Sequence, residues 1–246
     1  MDTSQYLDAV LDNVTLLIGA ANKAGLDAPV PTCPKWKVSD LVIHQGRVLR
    51  WMGDIVGEKS QENIHPGTLD QPDGEDPLYW LKSGAQRALQ ILDDTDPDTA
   101  VWNWFDDKPA PARFWFRRMA HEVAVHRADA EAAAGRSEPT PVEPAELASD
   151  GIDEYVEFLP LRTKDERRAA MAGSYHFHTT DVPGEWVVVF DAERVAVSRE
   201  HAKADVAIRG AASDVELFLY NRRGNDRLEI FGDPAKVAGW AEHIRF

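Results

Sequence analysis

Four runs of apolar side chains, each returning every three or four residues, fill most of the first 134 positions. They restrict this part of the chain to packed amphipathic helices. Leu7, Val10, Leu11, Val14, Leu17, Ile18 and Ala21 form the first stripe, with Gly25 near its end. In the second run Ser39 reads as the helix cap and Asp40 as an acid in the first turn. Leu41, Val48, Trp51, Met52 and Ile55 then share a side. The third helix fits residues 77–93, carrying Leu78, Leu81, Ala85, Ala88, Leu89 and Leu92. The fourth runs from about Ala112 to Ala134, and Gly135 supplies a stop. Two loops punctuate the runs. One spans Glu58 to Asp76; the other holds Asp96, Pro97, Pro109 and Pro111 around Trp102, Trp104 and Phe105. Four such helices with these connections predict a four-helix bundle.

Beyond residue 137 the pattern changes. SEPTPVEPAE (Ser137 to Glu146) is rich in proline and acid and reads as a linker. A helix from Leu147 to Phe158 follows. The period then shortens to two in GEWVVVFD and RVAVSRE, which predict strands at Trp186–Asp191 and Arg194–Arg199. ADVAIRG and RLEIFGD read as two further strands. Ser213 reads as the cap of a helix through Leu217 to Tyr220, and PAKVAGWAEHI as a closing helix with Pro234 in its first turn. The expected fold is therefore α + (α+β): a helical bundle over residues 1–140, then a smaller α+β domain over 147–246.

Charge narrows the partners. Forty-two acids against 27 bases give a formal net charge of −15, a field that repels phosphate backbones and anionic membranes. No run approaches the roughly 18 apolar residues of a membrane span. The start carries acids where a signal peptide has bases. The single cysteine, Cys33, excludes an intramolecular disulfide. Together these predict a cytoplasmic protein that acts on a small molecule, with neither nucleic acid nor membrane as partner.

The chemistry concentrates in RRMAHEVAVHRADAE of the fourth helix. His121 and His126 are five residues apart and so point roughly 140° apart on a helix, too far to share one ion. Glu122 and His126 are four apart and stack on one face, which also carries Trp115, Met119 and Ala133. That face points inward, and a buried carboxylate costs several kcal/mol unless it is paired or bound to a metal. His44 projects from the apolar side of the second helix. Two imidazoles and a carboxylate suit a catalytic metal with an open position, and zinc, nickel, iron or manganese would accept them. A hydrogen-bonded core histidine and an ordinary Glu–His helical pair remain the plainer readings of the same spacing.

TCPKWKVSDLVIHQGRVLRW (Thr32 to Trp51), with its Pro-x-Trp turn, capped helix and inward histidine, resembles the signature of the DinB-like, mycothiol-dependent maleylpyruvate isomerase family. RMAHEVAVHRADAEAAAG (Arg118 to Gly135) resembles that family's second motif, and ASDGIDEYVEFL (Ala148 to Leu159) its link to a C-terminal domain with a sterol-carrier-like fold. The resemblance covers essentially the whole chain. It implies a divalent metal, typically zinc, held by His44, Glu122 and His126. It also implies mycothiol, a thiol of actinobacteria, as cofactor. In the family's reaction the metal activates the sulfur, the thiolate adds to a cis double bond, the single bond rotates and the thiol leaves. Coordination of this kind deprotonates a thiol. The family usually has Gly-Arg where this chain has Asn221-Arg222, so Arg222 rather than Arg223 corresponds to its site arginine. There it would pair with a substrate carboxylate; a solvated surface arginine is the plainer reading. Cis–trans isomerisation and thiol transfer both fit this chemistry. A metal-dependent hydrolase and a non-catalytic protein holding an apolar ligand are the alternatives.

Several residues invite a role and have a plainer one. His121 reads as an interface residue between helices. His176 and His178 alternate as on a strand and could be a metal pair, although a surface strand is the simpler reading. Cys33 lacks the basic surroundings of a nucleophile apart from Lys35. Trp102, Trp104, Trp115 and Phe116 read as core. Asp129 is placed either to orient His126 or to join Arg127 and Glu131 in surface ion pairs.

Overall fold

The computed structural model describes residues 1–64, 72–105 and 108–244. The loop expected over Glu58–Asp76 therefore lies partly outside the described residues, as do positions 106 and 107 of the next loop. The chain divides into two compact units, Met1–Thr140 and Pro141–Phe246.

The first unit is a bundle of four helices: α1 (Thr3–Ala24), α2 (Val38–Gly57), α3 (Pro77–Asp93) and α4 (Arg113–Ala133). A two-stranded ribbon, β1 (Ala100–Val101) with β2 (Ala110–Pro111), precedes α4. The helices start on local chemistry. Asp2 accepts from the Gln5 amide while the Gln5 side chain accepts from the Asp2 amide, a reciprocal box that satisfies two end donors. Asp76 caps α3 by accepting from Leu78, with Pro77 at the first position. Ser39 is not the cap of α2. The cap lies two residues earlier, at Lys37, whose amide donates to Asp40 Oδ2 at 2.8 Å, so Asp40 takes the end-satisfying role.

Packing selects narrower stripes than the apolar pattern. On α1 the buried face is Tyr6, Ala9, Val10, Asn13, Val14, Leu17 and Ala21, while Leu11 is 52% exposed. α1 packs chiefly on α4 and α3, and α2 chiefly on α3 and α4. Gly46 of α2 leaves the space that the Trp80 ring of α3 fills; a Cβ there would overlap the ring. Arg50 lies 3.9 Å over the same ring and donates to the Trp80 carbonyl. At the end of the unit, Glu131 accepts from both the amide and the hydroxyl of Thr140, and Arg127 donates to the Thr140 carbonyl. Trp115 is fully buried against Trp51 and Trp102, its indole N–H donating to the Trp102 carbonyl.

The second unit contains α5 (Ala145–Arg162), α6 (Asp165–Ala170), β3 (Gly173–Thr179), β4 (Glu185–Phe190), β5 (Val195–Ser198), β6 (Val206–Gly210), α7 (Ala212–Leu219), β7 (Glu229–Gly232) and α8 (Pro234–His243). The expected 147–158 helix is longer at both ends and runs through Pro160. The sheet order is β5-β4-β3-β6-β7, with β3–β6 parallel and the other pairs antiparallel. The strand around His176 is thus central. Its alternation buries Tyr175 and Phe177 with Trp186, Val188, Phe190, Val206 and Ile208 of the neighbouring strands. Against this face pack Ile152, Tyr155 and Leu159 of α5, Val215 and Phe218 of α7, and Trp240 of α8. Ser213 sits inside α7, where its hydroxyl accepts from the Val142 amide; Ala211 is the capping residue.

Candidate metal centre

Helix α4 carries Arg118, Glu122 and His126 at intervals of four, so the three side chains stack along one face. α2 supplies His44 and Gln45. The chain between α1 and α2 folds back on itself, with the Val30 amide donating to the Trp36 carbonyl and the Trp36 amide to the Cys33 carbonyl. That turn places Thr32, Cys33 and Trp36 beside the two helices.

His44, Glu122 and His126 converge, their nearest donor atoms all within 4.8 Å of one another. Glu122 Oε1 lies 3.1 Å from His44 Nε2 and 3.3 Å from His126 Nε2. Ligands at 2.0–2.1 Å around a tetrahedral ion are about 3.3 Å apart, so these separations suit a shared ion. The other oxygen, Oε2, is taken by Arg118 Nη2, and Gln45 Nε2 donates to Oε1 at 3.3 Å. Gln45 Oε1, buried beside them, has no hydrogen-bond partner among the described residues. Side-chain exposures of 34%, 19% and 12% for His44, Glu122 and His126 leave the cluster open on the His44 side. Trp36 covers the imidazoles, with ring centroids 5.0 Å from His44 and 5.9 Å from His126.

Asp129 is fully buried and takes the orienting position. Its Oδ2 lies 2.7 Å from His126 Nδ1, and its Oδ1 accepts from the Thr32 hydroxyl at 2.5 Å. Asp129 and Arg127 are both buried rather than at the surface, and Arg127 pairs with Glu131. A neutral His126 so held carries its proton on Nδ1 and turns the Nε2 lone pair toward Glu122. Burial opposes charge on Glu122. The Arg118 guanidinium and the hydrogen bonds from His126 and His44 outweigh it and hold the carboxyl well below its usual range. Burial would likewise discharge His126, but the Asp129 and Glu122 carboxylates push its pKa up to about 9. Glu122 and the two imidazoles form a donor set that fits a divalent ion, and such an ion would displace the proton that His126 Nε2 carries while charged.

Residues 7–131, more than half of the 246, match the profile of the mycothiol maleylpyruvate isomerase N-terminal domain. The chain belongs to the mycothiol maleylpyruvate isomerase family. Residues 155–240 match the SCP-2 sterol transfer family. A crystal structure of the mycothiol-dependent maleylpyruvate isomerase has a TM-score of 0.64 at 12% identity, covering 94% of this chain and 93% of that one. A crystal structure of a histidine-to-alanine mutant of that enzyme gives 0.63, again at 12% identity and with the same coverage. At this identity the likeness shows a shared fold: helical N-terminal domain, then an α+β domain. Comparison with curated proteins returns no match.

Arg222 lies in the second unit, just after α7, and its Nη1 donates to the Tyr220 carbonyl at 2.6 Å. Arg223 is buried and paired with Asp214. Asn221 adopts φ +59°, the left-handed region that glycine enters freely and asparagine more readily than most residues. The Asn221 side chain donates to the Ile244 carbonyl at 2.7 Å. His121 is buried on α4, edge-on to Tyr6 of α1, and lies outside the His44–Glu122–His126 group. Arg118 and Gln45 escaped the sequence reading. Arg118 was legible as the residue four before Glu122; Gln45, adjacent to a helical histidine, carried no signal. Among the described residues no helix is long and apolar enough to cross a membrane.

Proposed function

We propose that the chain is a divalent-metal, mycothiol-dependent enzyme that acts on a small carboxylate or electrophile by cis–trans isomerisation or thiol transfer. The observation that carries this reading is the convergence of His44, Glu122 and His126 on one point in a domain of this family. In this reading those three side chains hold the ion, most simply zinc. When bound, the metal would supply Lewis acidity, which lowers the pKa of a coordinated thiol and makes it a nucleophile at neutral pH.

This chain's own residues do the rest. Asp129 fixes the His126 tautomer through Nδ1, and Thr32 fixes Asp129. Arg118 occupies Glu122 Oε2 and so directs Oε1 toward both imidazoles. Trp36 shields the imidazoles from water on its side, while the more exposed His44 side admits small molecules. Arg222 is assigned to pairing with a substrate carboxylate, a task for which a planar guanidinium is suited.

The test is a turnover assay of purified protein with maleylpyruvate and with electrophilic thiol acceptors. It should be run with mycothiol, with a simple thiol and with none, before and after chelation. Turnover that needs both the metal and mycothiol is expected. Metal-dependent turnover indifferent to thiol would replace this reading with a hydrolase. A stoichiometric apolar ligand with no turnover would replace it with a binding protein.

A further inference from the structure

A second group of metal-ligating side chains lies in the other unit. His176 and His178 project from the same face of β3, two residues apart, on the side opposite Tyr175 and Phe177. Glu185, the first residue of β4, stands directly across from His178 in the register. His201 comes from the segment between β5 and β6. One donor atom from each of the four lies within 4.8 Å of every other. Glu185 Oε2 is 3.3 Å from His176 Nε2 and 2.7 Å from His201 Nδ1, while Oε1 is 3.4 Å from His178 Nδ1. The ring centroids of the three histidines are 5.3 to 6.4 Å apart.

Ordinary ion pairing does not account for this arrangement. One carboxylate balances one imidazolium. Two further rings at these distances repel if charged, and if neutral each offers a lone pair that a cation can use. The His176 and His178 separations from Glu185 are those of donors around a small ion with bonds of about 2.0–2.2 Å, and the exposed His201 ring would open from 2.7 Å to admit it. The three rings reach the common point from a central strand and from a loop, so the convergence is produced by the tertiary fold rather than by a local sequence motif.

We propose that His176, His178, Glu185 and His201 form a second metal site, which binds a divalent first-row transition ion, zinc in the first instance. Three imidazoles and a carboxylate without thiolate exclude the soft monovalent metals and favour zinc, cobalt or nickel over calcium or magnesium. Four protein ligands make it a closed, structural site. Its effect is to fasten the connection between β5 and β6 to the face of β3 and β4 that carries the three other ligands. It is independent of the N-terminal centre.

Metal-stripped full-length protein, titrated with Zn2+ and, for its visible spectrum, with Co2+, tests this. Wild type is expected to retain two equivalents through gel filtration. His201→Ala and Glu185→Gln should each retain one, as should His126→Ala. His201 is 77% exposed, so its replacement leaves the fold intact, which circular dichroism checks. Zn2+ should raise the melting temperature of His126→Ala and not that of the His126→Ala, His201→Ala double variant. A single equivalent lost in His201→Ala and kept in His126→Ala would uphold this site and remove the N-terminal one. Two equivalents retained by both His201→Ala and Glu185→Gln, or a single one lost only in His126→Ala, would overturn the proposal.

Discussion

Replacing Asp129 by asparagine isolates the contribution of one buried carboxylate to the candidate N-terminal centre. The side chain touches, among others, His126 Nδ1 at 2.7 Å, the Thr32 hydroxyl at 2.5 Å and Cys33 Sγ at 3.7 Å. Asparagine has the same shape but only one accepting oxygen. If that oxygen keeps the Thr32 bond, the amide N–H₂ faces His126 Nδ1. It then donates to Nδ1, and the ring proton moves to Nε2, the nitrogen that lies 3.3 Å from Glu122 Oε1. The lone pair needed for the metal is then lost unless the ring or the amide turns over. Orienting partners of metal-bound histidines are worth about 10–100-fold in affinity, or about 1.4–2.7 kcal/mol. The measurement is zinc affinity by competition with a chromophoric chelator, in a His201→Ala background so that only this centre is read. Thr32→Val serves as the control, since it removes one bond to Asp129 and leaves its charge; it should weaken zinc far less. Zinc affinity of Asp129→Asn within about twofold of its parent, with an unchanged melting temperature, would refute the orienting role.

Further outcomes follow from the same geometry. His44→Ala and His126→Ala should each lose the N-terminal ion, measured as metal per chain, while Glu122→Gln should keep the fold and weaken the ion. The metal-free protein should lose stability in alkali: His126 is raised to about 9 from an unfolded value near 6.5. Its contribution is thus complete below about pH 6.5 and vanishes as pH rises through 9, and urea melts from pH 6 to 10 should show the decline, absent in His126→Ala. Glu122 works oppositely; its lowered pKa adds stability above the ordinary carboxylate range that is lost in acid. Gly46→Ala should destabilise the bundle by about 1–3 kcal/mol in chemical denaturation, because the new methyl overlaps the Trp80 ring between α2 and α3.

The helical half of the fold was legible because amphipathic period and end signals agree. Pro77 after Asp76, and Gly135 after the last apolar residue of α4, mark boundaries that the structure keeps to within a residue or two. Ser39 and Ser213 misled because a hydroxyl near a helix start is a common cap, yet backbone geometry upstream sets the start; in α2 Asp40 closes the end on Lys37. The His44–Glu122–His126 group could be anticipated from facing arguments, since both helices present apolar stripes whose direction is known. The C-terminal group was legible only as the pair His176 and His178, with a surface strand the simpler reading. His176 and His178 looked like a surface strand because period two does not reveal whether a strand is central, and His201 is separated from them by a strand pair whose register only the folded sheet defines. Arg118 was legible by its spacing but not by its role. An arginine four residues from a glutamate is a frequent exposed pair, and only its burial here gives it a directing role.

The bonds at Thr140 bear on any effort to handle the helical half alone. Glu131 depends on the Thr140 amide and hydroxyl, and Arg127 on its carbonyl, so a fragment that ends at Gly135 or Arg136 strips these contacts from two groups in the protein's interior. Expression boundaries for that half should therefore fall after Thr140 rather than at the apparent end of α4, and a protease that nicks between residues 136 and 140 would loosen the helix that bears Glu122 and His126 from its far end.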